Sequence, residues 1–151
     1  KDILQNAIDF AHALDIEQPK VAILAAVEEV KPQMQSTIDA AALCKMADRG
    51  QITGALLDGP LAFDNAISQQ SADIKHIHSP VTGDVDILLV PDLEAGNMLG
   101  KQLIYLGEAK AAGIVMGSKV PIVLTSRSDD ELDRLYSIAL GAYVAQKRKQ
   151  A

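Results

Sequence analysis

Apolar residues recur along this chain in two alternating rhythms. Ile3, Leu4, Ala7, Ile8, Ala11 and Leu14 fall on one stripe of a helix. Pro19 then leads into the unbroken run Val21 to Leu24, which reads as a buried strand. A second pair follows. Ser36 or Thr37 suits the cap of a helix carrying Ile38, Ala41, Ala42, Met46 and Ala47, Gly50 stops it, and Ile52 to Leu57 reads as a strand. Asp58-Gly59-Pro60 has the composition of a turn leaving that strand.

Further along, Leu61 to Lys75 predicts one or two short helices, and Val85 to Val90, bounded by Asp84 and Pro91, is the plainest buried strand. The next helix runs from about Glu94 to Ala111, where Leu99, Leu103, Leu106 and Ala109 keep helical spacing. Only Gly117-Ser118-Lys119 separates the apolar stretches Ile114 to Met116 and Val120 to Leu124. So short a link suits a hairpin, with one strand antiparallel. Asp129 to Gln146 reads as a last helix, acidic in its first turn and followed by Lys147, Arg148 and Lys149, as the helix dipole prefers. No Pro/Gly/Ser-rich linker or repeat interrupts the alternation, so the pattern predicts one α/β domain.

Composition narrows this picture. The 151 residues are 48% hydrophobic but only 3% aromatic, which predicts a core of branched aliphatics between helices and sheet. The single cysteine, Cys44, excludes an internal disulfide, speaks against a cysteine-based metal cluster and fits a reducing cytoplasm. It sits among Ala42, Leu43 and Met46 and reads as core or interface, not as a nucleophile. Neither a membrane span nor a leading signal segment is apparent, so a soluble cytoplasmic protein without a membrane partner is expected. A net charge of −6 argues against nucleic acid as a partner, since phosphate backbones need a basic surface. Small anions remain compatible if a few donors focus in one cleft.

In open α/β sheets ligands bind beyond the carboxyl ends of strands, which singles out three corners. Thr125-Ser126-Arg127-Ser128-Asp129 carries the densest chemistry, two hydroxyls and an arginine entering a helix whose first N–H groups favour an anion. Arg127 could fork onto a phosphate or carboxylate, and Ser126 could donate to an oxygen that gains charge. Equally, Ser126 or Ser128 could simply cap the helix while Arg127 pairs with Asp129, Asp130 or Asp133. In the second corner Lys101 lies one turn beyond Asn97, after Gly96, so the two could share a polar ligand. The plainer alternative is a helix start with Lys101 paired to Asp92 or solvent. Asp58 marks the third corner, where a loop wall and an ordinary turn both fit. His76 and His78 have no third ligand nearby, so no metal site is expected there. Neither a P-loop, a G-x-G-x-x-G nor a nucleophile elbow occurs.

Four blocks add to this reading: Pro19 to Leu24, Asp58-Gly59-Pro60-Leu61-Ala62-Phe63-Asp64-Asn65-Ala66, Pro91 to Leu99, and Pro121-Ile122-Val123-Leu124-Thr125-Ser126-Arg127. In that order they resemble the phosphate acetyl/butyryltransferase family, closer to its butyryltransferase-like branch. The resemblance implies a three-layer α/β/α domain with a mostly parallel sheet, similar to the isocitrate/isopropylmalate dehydrogenase scaffold. That domain would be one of two, with the chain corresponding to the C-terminal half and starting where that half starts. It also implies transfer of an acetyl or butyryl group between coenzyme A and phosphate through an acyl phosphate. Neither a metal nor a covalently bound cofactor would take part.

Carried over by motif, Ser126 and Arg127 match the family's Ser-Arg pair and Asp133 its thiol-deprotonating aspartate, with Asp129 and Asp130 as rivals. Thr125, Asn97, Lys101, Gly96 and Asp58 are the expected substrate-contacting residues. Arginines from the other half have no counterpart here, so the chain alone is expected to hold coenzyme A weakly or to turn over nothing. A homodimer is expected. The alternative implied by fused relatives is a non-catalytic acyl-CoA-sensing or dimerisation domain of a larger enzyme linked to enoyl-CoA hydratase or malic enzyme. A dehydrogenase on the same scaffold would need a metal-binding set of aspartates and a dinucleotide loop, and neither arrangement occurs in these residues.

Overall fold

The computed structural model describes residues 1–150. Its elements follow in the order α1 (Asp2–Ala13), β1 (Lys20–Leu24), α2 (Gln35–Asp48), β2 (Leu56–Leu61), α3 (Phe63–Ile67), α4 (Gln69–Ile74), β3 (Ile87–Leu89), α5 (Leu93–Gly107), β4 (Ile114–Val115), β5 (Ile122–Val123) and α6 (Glu131–Gln150). Strands β2, β1 and β3 form a parallel sheet in that order, so β1 is the central strand.

Side chains alternate across a strand, and here both faces are apolar. On one face Val21 and Ile23 pack with Leu4 and Ile8 of α1 and Ala40 of α2. On the other, Ala22 and Leu24 pack with Leu61, Ala66 of α3 and Val81, with Leu99 of α5 against them. Helices on both faces make the three-layer α/β/α arrangement.

The Gly59–Pro60 stretch does not form the expected turn. It lies inside β2, where Ala22 pairs with Asp58 and Leu24 with Leu61 across a shift in register. Glycine is required there because a Cβ at Gly59 would stand 2.7 Å from Ile23 Cβ and from the Ile23 carbonyl oxygen. Backbone pairing to β1 thus overrides the local turn composition, and the Gly59–Pro60 peptide is cis. The strand starts at Leu56, not Ile52, because the chain first passes Gly54 at φ 86 and buries Ile52 against the α1 side of the core.

Helix α5 ends at Gly107, short of Ala111, with Glu108 left-handed at φ 52. Helix α6 starts at Glu131, not Asp129, since Asp129 and Asp130 are used in the preceding turn, and it continues past Gln146. The antiparallel hairpin of β4 and β5 is present, as a separate two-stranded sheet. His76 and His78 follow α4 in an irregular stretch.

Helix α6 ties the ends of the chain together. Tyr143 Oη donates to Asp15 Oδ2 at 2.8 Å, Lys147 Nζ to Asp15 Oδ1 at 2.6 Å, and Arg148 Nη1 to the Ser118 carbonyl of the hairpin at 3.0 Å. Gly113 N donates to Ser137 Oγ at 2.9 Å, which pins the loop before β4 onto α6. The outer faces of α5, the hairpin and α6 carry exposed Leu103, Leu106, Ile122, Leu124, Leu135 and Ile138. Among the described residues, no helix is long and apolar enough to cross a membrane.

Candidate active site

The corner after β5 folds as a tight turn. Ser126 N donates to Asp129 Oδ2 at 2.6 Å and Asp129 N to the Ser126 carbonyl at 3.2 Å. Asp130 then takes the capping role, accepting from Asp133 N at 2.8 Å, a usual device for an otherwise orphaned N–H. Neither Ser126 nor Ser128 caps the helix. Their hydroxyls point instead to α5, where Lys101 Nζ lies 3.0 Å from Ser126 Oγ and 3.0 Å from Ser128 Oγ. The two serine oxygens are themselves 3.0 Å apart, and the ammonium sits 5.6 Å from the centre of the Tyr105 ring.

The corner carries both signs of charge, Lys101 and Arg127 beside Asp129, Asp130, Glu131 and Asp133. Among the described residues neither Lys101 nor Arg127 forms an ion pair, although seven pairs occur elsewhere. Arg127 is exposed, and the aspartates it could have paired with are engaged by backbone N–H groups. Behind the corner stands the N-terminus of a 20-residue helix, whose free N–H groups and dipole favour an anion. Asp133, half-buried in the first turn of α6, has its Oδ1 3.5 Å from Ala111 N, the weakest hold on any of the three aspartates.

The remaining expected residues divide. Asp92, not Gly96 or Asn97, caps α5 by accepting from Ala95 N at 2.8 Å, and so is not a partner of Lys101. Gly96 lets α5 close on the end of β3, since a Cβ there would meet Val90 Cγ2 at 2.9 Å. Asn97 is exposed one helical turn before Lys101, and Thr125 is exposed just before Ser126.

Asp58 is placed elsewhere. Its Oδ1 accepts from Gly59 N at 2.8 Å, and its charge, after burial, helps push the Cys44 thiol up to about 11. Among the described residues no hydrogen bond joins Asp58 to the Ser126 corner. The residue missed in the sequence was Ser128 as a contact of Lys101. Its only cue was the i, i+2 spacing from Ser126.

A hollow of about 580 Å³ lies beyond the carboxyl ends of β1 and β3, walled by Leu4, Ile23, Leu24, Leu43, Leu89 and Val90. It is apolar, its rim includes Asp39 and Asp92, and none of Ser126, Arg127 and Asp133 lines it. The charged corner therefore suits an anion better than this larger space does. No group of three or more His, Cys, Asp or Glu among the described residues could hold a metal.

Fold and corner together define a three-layer α/β domain with a parallel central sheet and a strand-to-helix junction where a lysine and two serine hydroxyls meet. Comparison with known proteins names the lineage. The phosphate acetyl/butaryl transferase family profile matches residues 1–142, and the chain belongs to that family.

It is 60% identical over its whole length to a phosphate acetyltransferase of Rhizobium meliloti, covering 48% of that protein. It is 49% identical over 144 residues, 95% of the chain, to a phosphate butyryltransferase of Clostridium acetobutylicum, again covering 48%. A crystal structure of a branched-chain phosphotransacylase from Enterococcus faecalis V583 superposes with a TM-score of 0.84 at 37% identity, over 95% of this chain and 51% of the other. The chain thus spans about half the length of the relatives it matches.

Proposed function

We propose that this chain supplies the acyl phosphate-binding and coenzyme A-handling half of a phosphate acyltransferase, which converts acyl-CoA and phosphate reversibly into acyl phosphate and coenzyme A. Family membership supports the reaction. The observation that carries the reading to particular residues is the contact of the Lys101 ammonium with the Ser126 hydroxyl at the mouth of α6, next to Arg127, which is exposed and outside any ion pair among the described residues.

In the direction of acyl-CoA synthesis the coenzyme A thiolate attacks the carbonyl carbon of the acyl phosphate. A carbon–sulfur bond forms as charge moves onto the carbonyl oxygen, and collapse breaks the bond to the phosphate oxygen. Asp133 takes the thiol proton, a modest task because a free thiol ionises near ~8.5. Arg127 forks onto the phosphoryl oxygens and Ser126 donates to the oxygen on which charge develops. Thr125, Asn97, Gly96 and Lys101 border the substrates, with Asp58 as a more remote contact. The reading extends to a cytoplasmic homodimer, supported by the single unpaired thiol of Cys44 and the apolar faces left exposed on α5 and α6.

The test is release of free thiol from acetyl-CoA and butyryl-CoA on addition of phosphate, in the whole protein that carries this chain. Arg127→Ala should lower turnover by at least about a hundredfold, the usual cost of losing a donor to the transition state. Unchanged turnover in that variant would remove Arg127 from the mechanism.

A further inference from the structure

We propose that the β4–β5 hairpin is the border of a larger sheet, completed by an α/β body from the part of the polypeptide outside this chain. Burial and strand pairing carry this, independently of acyl transfer. Val120 to Leu124 is an unbroken apolar run, the pattern of a strand covered on both faces, as Val21 to Leu24 is in β1. The outcome differs. Val21 to Leu24 are no more than 6% exposed, whereas Ile122, Val123 and Leu124 are 49%, 38% and 61% exposed. Register divides these side chains between two faces. Ile114 pairs with Val123 and Val115 with Ile122, and residues opposite one another share a face. The Ile114–Val123 face lies on α6, where a Cβ at Gly141 would meet Val123 Cγ2 at 2.8 Å. Val115, Ile122 and Leu124 therefore point away from α6, and all three remain exposed.

The backbone is equally incomplete. Among the described residues each strand has one neighbour, and a two-stranded sheet is marginally stable at best in water. Leu124 N donates to the Gly113 carbonyl at 3.1 Å, so by the alternation of an antiparallel ladder the amides of Ile114 and Val123 point outward to the two free edges. Unpaired edges beside an aliphatic face call for strands alongside and a further layer across. The size of the gap matches. The chain exposes 9635 Å², where a folded protein of 16.1 kDa exposes about 7,400 Å². That surplus is well above the ~800 Å² each partner gives to a standard interface, so a dimer through α5 and α6 leaves surface for a second, larger contact. The relatives and the superposed structure carry about as much chain again, which supplies a body of the required size. Ser126 and Arg127 directly follow β5, so the added strands would hold the corner from behind.

Hydrogen exchange resolved to single amides, in the whole wild-type protein without substrate, tests this at concentrations above and below those at which any dimer dissociates. At least one of the Ile114 and Val123 amides should exchange within about tenfold of the amides of β1 at every concentration. Faster exchange at both would overturn the proposal, since the hairpin would then be an open two-stranded flap. Protection lost on dilution to the monomer would overturn it as well, giving the face to a second copy. Thiol labelling reads the side chains. Ile122→Cys in the whole protein should react at least about a hundredfold more slowly than Ile74→Cys on the exposed side of α4, and equal rates would overturn the proposal. Turnover enters neither readout, so failure of the acyltransferase reading and failure of this one are told apart.

Discussion

Lys147 Nζ lies 2.6 Å from Asp15 Oδ1, joining the last helix to the turn that ends the first. Hydrogen bonds from Lys147 and then Tyr143 hold the Asp15 carboxyl below its ordinary value, and the Asp15 contact raises Lys147. A carboxylate with a lowered folded value stabilises above its unfolded value and loses that contribution as pH falls through the folded one. The raised lysine contributes below its unfolded value and loses that contribution as pH rises through its folded one. Asp15→Asn should therefore lower the melting temperature at neutral pH by a small amount, because the pair is exposed. The difference should shrink below about pH 4 and again above about pH 10. Melting curves of both proteins across that range check it.

The three aspartates near α6 should separate cleanly. Asp130→Ala removes a helix cap and should cost about 1 kcal/mol of stability. Asp129→Ala frees Ser126 N and should loosen the corner, lowering stability and turnover together. Asp133→Asn keeps an oxygen for Ala111 N while losing its basicity. It should therefore leave the melting temperature unchanged and lower acyl transfer by about a hundredfold or more. Equal turnover in the Asp133→Asn protein and the wild type would hand the base to another group.

Cys44 should be nearly inert in the folded protein. With the thiol pushed up to about 11 by burial and then by Asp58 and Asp48, only about a thousandth is ionised at pH 8, so alkylation should be slow until denaturant is added. Removing one of the nearby charges in Asp58→Asn should speed alkylation. Rapid wild-type labelling would contradict this picture of β2 and α2.

Gly59→Ala should destabilise by about 1–3 kcal/mol, the range for overpacking, because the new methyl meets the β1 backbone as well as a side chain. Urea unfolding at fixed pH measures it. A neutral outcome would mean that β1 and β2 can part at no cost.

Much of the fold could be read from residue order because β1 needs apolar side chains on both faces. The run Val21 to Leu24 has no other economical explanation than a strand between two layers. Elements controlled by distant partners were harder. Gly59 and Pro60 have turn composition, yet pairing with Ile23 and its neighbours decides their conformation. At the end of α5 the stop is Gly107 with the left-handed Glu108 behind it, and the apolar Ala109 and Ala111 beyond them extended the helical pattern past the true end. At the site, the placement of Ser126 and Arg127 followed from a strand running into a helix. The Lys101 contact could not follow, since 27 positions separate it from Ser128 and no local period connects them.

The central position of β1 has a kinetic consequence. Its partners in register, Leu56 on one side and Ile87 on the other, arrive only after several dozen further residues have been ordered around two crossovers. Closing those loops precedes any reward from the ladder, so refolding should be limited by assembly of the three strands and not by the helices, on a scale of roughly milliseconds to seconds.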